Sequence, residues 1–139
     1  MDFVAAISRR LKLAFLSILL VACTFVLLTP PAAADTVTVK MGKDNGMLAF
    51  DPPKVTIKPG DTIEWLNNKL PPHNIVFDGA KNPAKSADLA KSLSHKGLLM
   101  KPGQKFQVTF PADAPAGVYT YYCEPHRGAG MVGTITVQG

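Results

Sequence analysis

Val118-Tyr119-Thr120-Tyr121-Tyr122-Cys123-Glu124-Pro125-His126-Arg127-Gly128-Ala129-Gly130-Met131-Val132-Gly133-Thr134-Ile135-Thr136-Val137 contains two runs rich in β-branched and aromatic residues on either side of a Pro/Gly-rich loop. The runs Val118 to Cys123 and Met131 to Val137 read as strands with period-two alternation. Pro125 removes a backbone donor and turns the chain out of the first strand, while Gly128, Gly130 and Gly133 allow a tight return. Alternation places Tyr119, Tyr121 and Cys123 on one face, with Val118, Thr120 and Tyr122 on the other. If Cys123 points inward, Tyr122 points outward.

The same pattern extends upstream. Thr36 to Met41, Lys54 to Ile57, Asp61 to Leu66, His73 to Phe77 and Gln104 to Phe110 alternate between Pro, Gly, Asp and Asn punctuation, the signature of an antiparallel sandwich or barrel. Lys58-Pro59-Gly60-Asp61 and Lys101-Pro102-Gly103-Gln104 read as Pro-Gly turns joining neighbouring strands. Asn82 to Gly97, rich in Ala, Lys, Ser and Leu, reads as a short helix or irregular excursion, with Leu89 and Leu93 spaced to press one face onto the sandwich. Met41, Met47 and Met100 read as core, and His95 as a surface residue. One domain is expected.

At the N-terminus, Arg9, Arg10 and Lys12 precede an apolar stretch from Leu13 to Leu28 and then Ala32-Ala33-Ala34. Basic flank, apolar middle and small-residue end describe a cleavable secretory signal over 1–34, leaving a domain of 35–139. The rival, a retained anchor, fits less well because the stretch is shorter than the ~20 residues that span a bilayer. Ser8-Arg9-Arg10 resembles a twin-arginine signal, but Lys12 stands where an aromatic is preferred; Cys23 resembles a lipidation site, but apolar residues follow it. Residues 35–139 carry twelve basic side chains against nine acidic ones. The lysines are scattered, which excludes the clustered basic stripe of a nucleic-acid binder.

Cys123 is the one cysteine of the exported chain. With His126 and Met131 on its loop it brings thiolate, imidazole and thioether together, the soft donor set that suits copper, and His73 behind Pro71-Pro72 supplies a second imidazole. A His-His-Cys set with a weak axial Met is a blue-copper electron-transfer arrangement cycling Cu(I)/Cu(II). With four protein donors no position stays open for substrate, so a non-enzymatic carrier is expected. A Cys-His hydrolase would need an orienting group and an oxyanion hole at a helix N-terminus, whereas Cys123 reads as strand and loop. Exposed, adaptable Met/His-rich sites would characterise a copper-delivery protein instead.

Pro72-His73-Asn74-Ile75-Val76-Phe77-Asp78 and Tyr122-Cys123-Glu124-Pro125-His126-Arg127-Gly128-Ala129-Gly130-Met131-Val132-Gly133 resemble the plastocyanin family, in its cyanobacterial style. The resemblance spans 35–139. It implies an eight-stranded Greek-key β-sandwich, cupredoxin-like, with one short helix or excursion, binding one copper through His73, Cys123, His126 and Met131. It further implies a soluble monomer in the thylakoid lumen carrying electrons from cytochrome f to photosystem I. Leu48, Pro72, Gly128 and Ala129 would form a flat apolar patch around His126, and Tyr122 a more remote contact area. Plant members carry acidic clusters beside that tyrosine. Here the stretch Asp78 to Asp88 contains Lys81 and Lys85, which shifts the expected charge contact to Arg127. Pseudoazurin shares the loop spacing but carries helices after its Met, whereas here Met131 is followed by a single strand.

Overall fold

The computed structural model describes residues 33–139. The signal peptide expected over 1–34 therefore falls, apart from Ala33 and Ala34, outside the described residues.

Among the described residues, nine strands and one α-helix follow in chain order. They are β1 (Thr36–Met41), β2 (Phe50–Asp51), β3 (Lys54–Ile57), β4 (Thr62–Asn67), β5 (His73–Phe77), α1 (Ala87–Leu93), β6 (His95–Leu99), β7 (Lys105–Thr109), β8 (Gly117–Tyr122) and β9 (Val132–Val137). One sheet has the order β2-β1-β4-β7 and the other β3-β9-β8-β5-β6. The sandwich class holds, with nine strands among the described residues where eight were expected. The additions that alternation did not reveal are β2, whose two residues are too short to show a period, and β6, an edge strand in which only Leu99 is buried.

Both Pro-Gly turns form, with Gly60 at φ 91° and Gly103 at φ 86°, a left-handed backbone that glycine adopts without a Cβ penalty. They do not join strands of one sheet. The first carries the chain from β3 to β4 and the second from β6 to β7, each time crossing between sheets. Because of this crossing, β1 and β4 enter their sheet in the same direction and pair in parallel, Thr36 opposite Thr62; β3 and β9 do the same, Lys54 opposite Thr134. The purely antiparallel expectation is corrected at these two pairings.

Alternation on β8 is observed as read. Tyr119, Tyr121 and Cys123 are fully buried and Tyr122 is half-buried. Tyr121 packs against Phe50, Trp65 and Phe77, with ring centroids 4.6, 5.5 and 5.3 Å away. These rings join the two sheets into one core. Gly133 lies in β9 directly opposite Tyr121, and a Cβ there would overlap the tyrosine ring. Its role is to make room for that ring, not to turn the loop. Leu93 is buried and Leu89 packs beside it, as their spacing implied. Met41 is core, whereas Met47 and Met100 are exposed; no alternating partner residues fix those two to an inner face. His95 is half-exposed and stacks on Phe106, centroids 4.5 Å apart.

Candidate metal centre

Val76 faces Tyr122 across the β5/β8 pair and Phe77 faces Tyr121. Antiparallel register then carries the start of β5, His73, to the end of β8, where Cys123 leaves the sheet. Asn74 fastens the two. Its side-chain oxygen accepts from the Glu124 backbone N–H at 2.8 Å, and its amide nitrogen donates to the Glu124 carboxylate at 2.8 Å and to the Lys96 carbonyl at 3.2 Å. Asn74 is only 1% exposed, so its side chain is committed to these partners although Glu124 itself lies at the surface.

The loop closes on itself through its backbone. The His126 N–H donates to the Cys123 carbonyl, the Met131 N–H to the His126 carbonyl, and the Cys123 N–H to the Met131 carbonyl, at 3.2, 3.2 and 3.1 Å. Arg127–Ala129 forms a single 3-10 turn, ended by Gly130 at φ 82°. Met131 is thereby held at the loop's return and is fully buried.

Nδ1 of His73 and Nδ1 of His126 lie 3.6 and 3.5 Å from the Cys123 sulfur and 3.2 Å from each other. The orientation of His73 has a cause. The Lys69 carbonyl lies 2.7 Å from His73 Nε2; a carbonyl only accepts, so Nε2 carries the proton and Nδ1 presents its lone pair inward. Gly42 makes this possible, since at φ 82° a Cβ would overlap the Lys69 carbonyl oxygen.

Burial pushes the His73 imidazole below its ordinary range, with the nearby His126 adding to the effect and the Lys69 carbonyl opposing it. Burial likewise raises the Cys123 thiol, against the stabilising backbone N–H groups of Asn74 and His126. Two imidazole nitrogens and a cysteine sulfur pointed at one place, all three within 4.8 Å of one another, form a donor set that a soft cation would satisfy. Thiolate with two imidazoles suits copper.

Known proteins point to the same metal. Residues 37–138 match the model of the copper binding proteins, plastocyanin/azurin family. The chain belongs to that family. It is 69% identical to a plastocyanin of Nostoc punctiforme over the full length of both chains, and 51% identical to a plastocyanin of Synechococcus sp. (strain JA-2-3B'a(2-13)), again over the full length of both. The oxidised plastocyanin of the fern Dryopteris crassirhizoma superposes with a TM-score of 0.62 at 34% identity, covering 73% of this chain and all of the fern protein. The cofactor of this family member is copper, and a copper protein of this type is a blue-copper electron carrier.

The residues expected at the surface differ in exposure. Arg127, Gly128 and Ala129 are exposed, and His126, Leu48, Pro72 and Tyr122 are half-buried. Met47 and Leu70, 54% and 53% exposed, are apolar surface that the sequence reading did not include. The loops that carry them are tied together, because the Asn68 amide donates to the Gly42 carbonyl at 2.8 Å and to Asp44 at 2.9 Å. Two further features were missed. The Asn74 strap was detectable only as a polar residue beside His73. Arg127 lies over the Tyr122 ring, a contact that depends on the loop's path and leaves no local sequence signal.

Proposed function

We propose that residues 35–139, freed of a signal peptide cut after Ala34, form a soluble monomeric carrier in the thylakoid lumen. It takes single electrons from cytochrome f and delivers them to photosystem I, catalysing no substrate conversion. His73, Cys123, His126 and Met131 hold the copper in this reading. Copper bound there supplies a reversible one-electron couple.

The observation that carries the reading is the convergence of the His73 and His126 Nδ1 atoms on the Cys123 sulfur, with one of the two rings buried and the other half-exposed. The protein's own contribution is rigidity and access. The Asn74 strap and the closed loop hold the donors still, so few groups need to move when the charge of the site changes. His126 reaches the surface beside Gly128 and Ala129, whose small side chains let a partner's cofactor approach closely. Leu48 and Pro72 extend that face as an apolar contact, while Arg127 offers the charge that orients an acidic partner.

The test is the optical spectrum of the copper-loaded oxidised protein together with flash-induced kinetics on isolated photosystem I. An intense thiolate-to-copper band and electron delivery that Ala129→Glu slows are expected. A pale complex that yields its metal readily to a chelator would instead support copper delivery and overturn the carrier.

A further inference from the structure

Asp61 stands directly before β4, after the Pro59-Gly60 turn, and three chain segments meet on it. Its backbone carbonyl accepts from the Phe110 N–H at 2.9 Å, just beyond β7, while the Thr62 N–H donates to the Asp35 carbonyl at 2.8 Å, just before β1. Asp61 as a whole is 5% exposed. One carboxylate oxygen accepts from the Lys58 backbone N–H at 2.8 Å and the other from the Asp35 backbone N–H at 2.9 Å. These two backbone donors, Lys58 first, hold Asp61 below the usual carboxylate range.

The Asp35 nitrogen is the nitrogen of the Ala34–Asp35 peptide bond, and Ala33 and Ala34 before it are exposed and outside any strand. We propose that Asp61 is the seat of the mature N-terminus: cutting that bond converts a neutral amide donor into an ammonium already in contact with a buried carboxylate. The proposal rests on the reading that the signal is removed after Ala34. Hydrolysis adds one water across the amide, leaving a carboxylate on Ala34 and an amine on Asp35 that is protonated at neutral pH. No backbone movement is needed. The new group keeps its place 2.9 Å from Asp61 and gains two N–H donors and a full charge, and charge-assisted bonds of this kind are roughly twice as strong as neutral ones.

The charges facing this pair are the Lys58 ammonium, from the turn, and the Asp35 side chain, from the same residue as the amine; β7 approaches through the Phe110 backbone. Processing would then do more than release the domain. It would pin the start of β1 against β4 at the end of the sandwich where the turn crosses between sheets, so the exported form would be the more stable one.

Copper-loaded protein released from a cleavable fusion to begin at Asp35 should be compared with protein beginning at Ala34, each with and without Asp61→Asn. At pH 6.5 the Asp35 start is expected to raise the folding equilibrium constant about fivefold over the Ala34 start, and Asp61→Asn should abolish the difference. In the Asp35 protein, nitrogen-15 NMR should show the α-amino group titrating above its ordinary range of about 7.7–8.0. A raised amino value stabilises fully below that range and fades as pH rises through the shifted value; the lowered Asp61 value sets the acid limit. Equal stability of the two starts, or an α-amino group titrating in its ordinary range, overturns the seat, and the second readout stands even if Asp61→Asn fails to fold. Intact mass of the exported protein tests the cut separately: an N-terminus other than Asp35 overturns the processing reading, with the engineered pair still reporting on Asp61.

Discussion

The Arg127 guanidinium carbon sits 4.0 Å from the centroid of the Tyr122 ring. Arg127 belongs to the loop between Cys123 and Met131 and Tyr122 to the outward face of β8, so one cation–π pair joins the loop surface to the outer face of that strand. A cation over an aromatic face contributes about 0.5–1 kcal/mol at an exposed site, enough to bias the arginine toward one orientation.

Removing that pair should weaken docking while leaving the donor cluster alone. Arg127→Gln is expected to slow electron delivery to photosystem I several-fold at low salt and to flatten its dependence on ionic strength, with the absorption spectrum unchanged. Arg127→Lys keeps the charge but loses the guanidinium over the ring and should fall between. An unchanged rate and salt profile in Arg127→Gln would remove Arg127 from the contact.

Cys123→Ser should fold, since the hydroxyl is close in size, and should lose the intense blue band, because a hydroxyl does not replace the soft thiolate. The spectrum and the far-UV circular dichroism of the same sample check both halves. A serine variant that remained intensely blue would exclude Cys123 as the donor.

Met131→Gln separates a tuning role from an anchoring one. The axial thioether in such sites is long and weak, and the loop's return is fixed by the Cys123 and His126 backbone bonds rather than by the Met131 side chain. The variant is expected to retain copper with a lowered reduction potential, read by metal analysis and voltammetry. Loss of all copper at micromolar metal would make Met131 an anchor.

Gly133→Ala places a methyl group against the Tyr121 ring in a strand whose register is fixed by six pairs between β8 and β9. Overpacking of this kind costs about 1–3 kcal/mol. A chemical denaturation midpoint should show that loss, while Gly128→Ala, where nothing lies within 4 Å of the added methyl, should cost much less.

Why Gly133 is a glycine could not be read locally, and the contrast with Cys123 explains which parts of the fold were legible. Inward or outward facing on β8 follows from alternation alone, so Cys123, Tyr121 and Tyr122 were placed correctly from sequence. The convergence of Cys123 and His126 was legible because the two are close in the chain, and that of His73 because the flanking Pro71-Pro72 set it apart. What stayed hidden depends on partners distant in sequence. Gly133 answers to a ring twelve residues away, β6 is an edge strand with one buried residue, and the parallel pairing of β1 with β4 follows from turns that change sheet. The Gly42–Lys69–His73 relay likewise exists only once two loops are side by side.

That relay sets the behaviour of the metal-free protein. The Lys69 carbonyl fixes the Nε2–H form of His73, and burial lowers the ring's affinity for a second proton. As pH falls through the ordinary histidine range near 6.5, the unfolded chain takes up a proton that folded His73 refuses. The unfolded state then binds more protons, so the stability of the metal-free protein should be greatest above that range and decline progressively below it. Copper should steepen this dependence and carry it to lower pH, since a bound metal keeps the proton off Nδ1 in the folded protein while the unfolded chain takes it up. Denaturation midpoints between pH 4.5 and 7.5, with and without copper, measure the effect, and nitrogen-15 NMR of the metal-free protein reads the tautomer. A His73 ring protonated at Nδ1 near neutral pH, or titrating at or above the ordinary value, would show that the Lys69 carbonyl does not hold the ring as described.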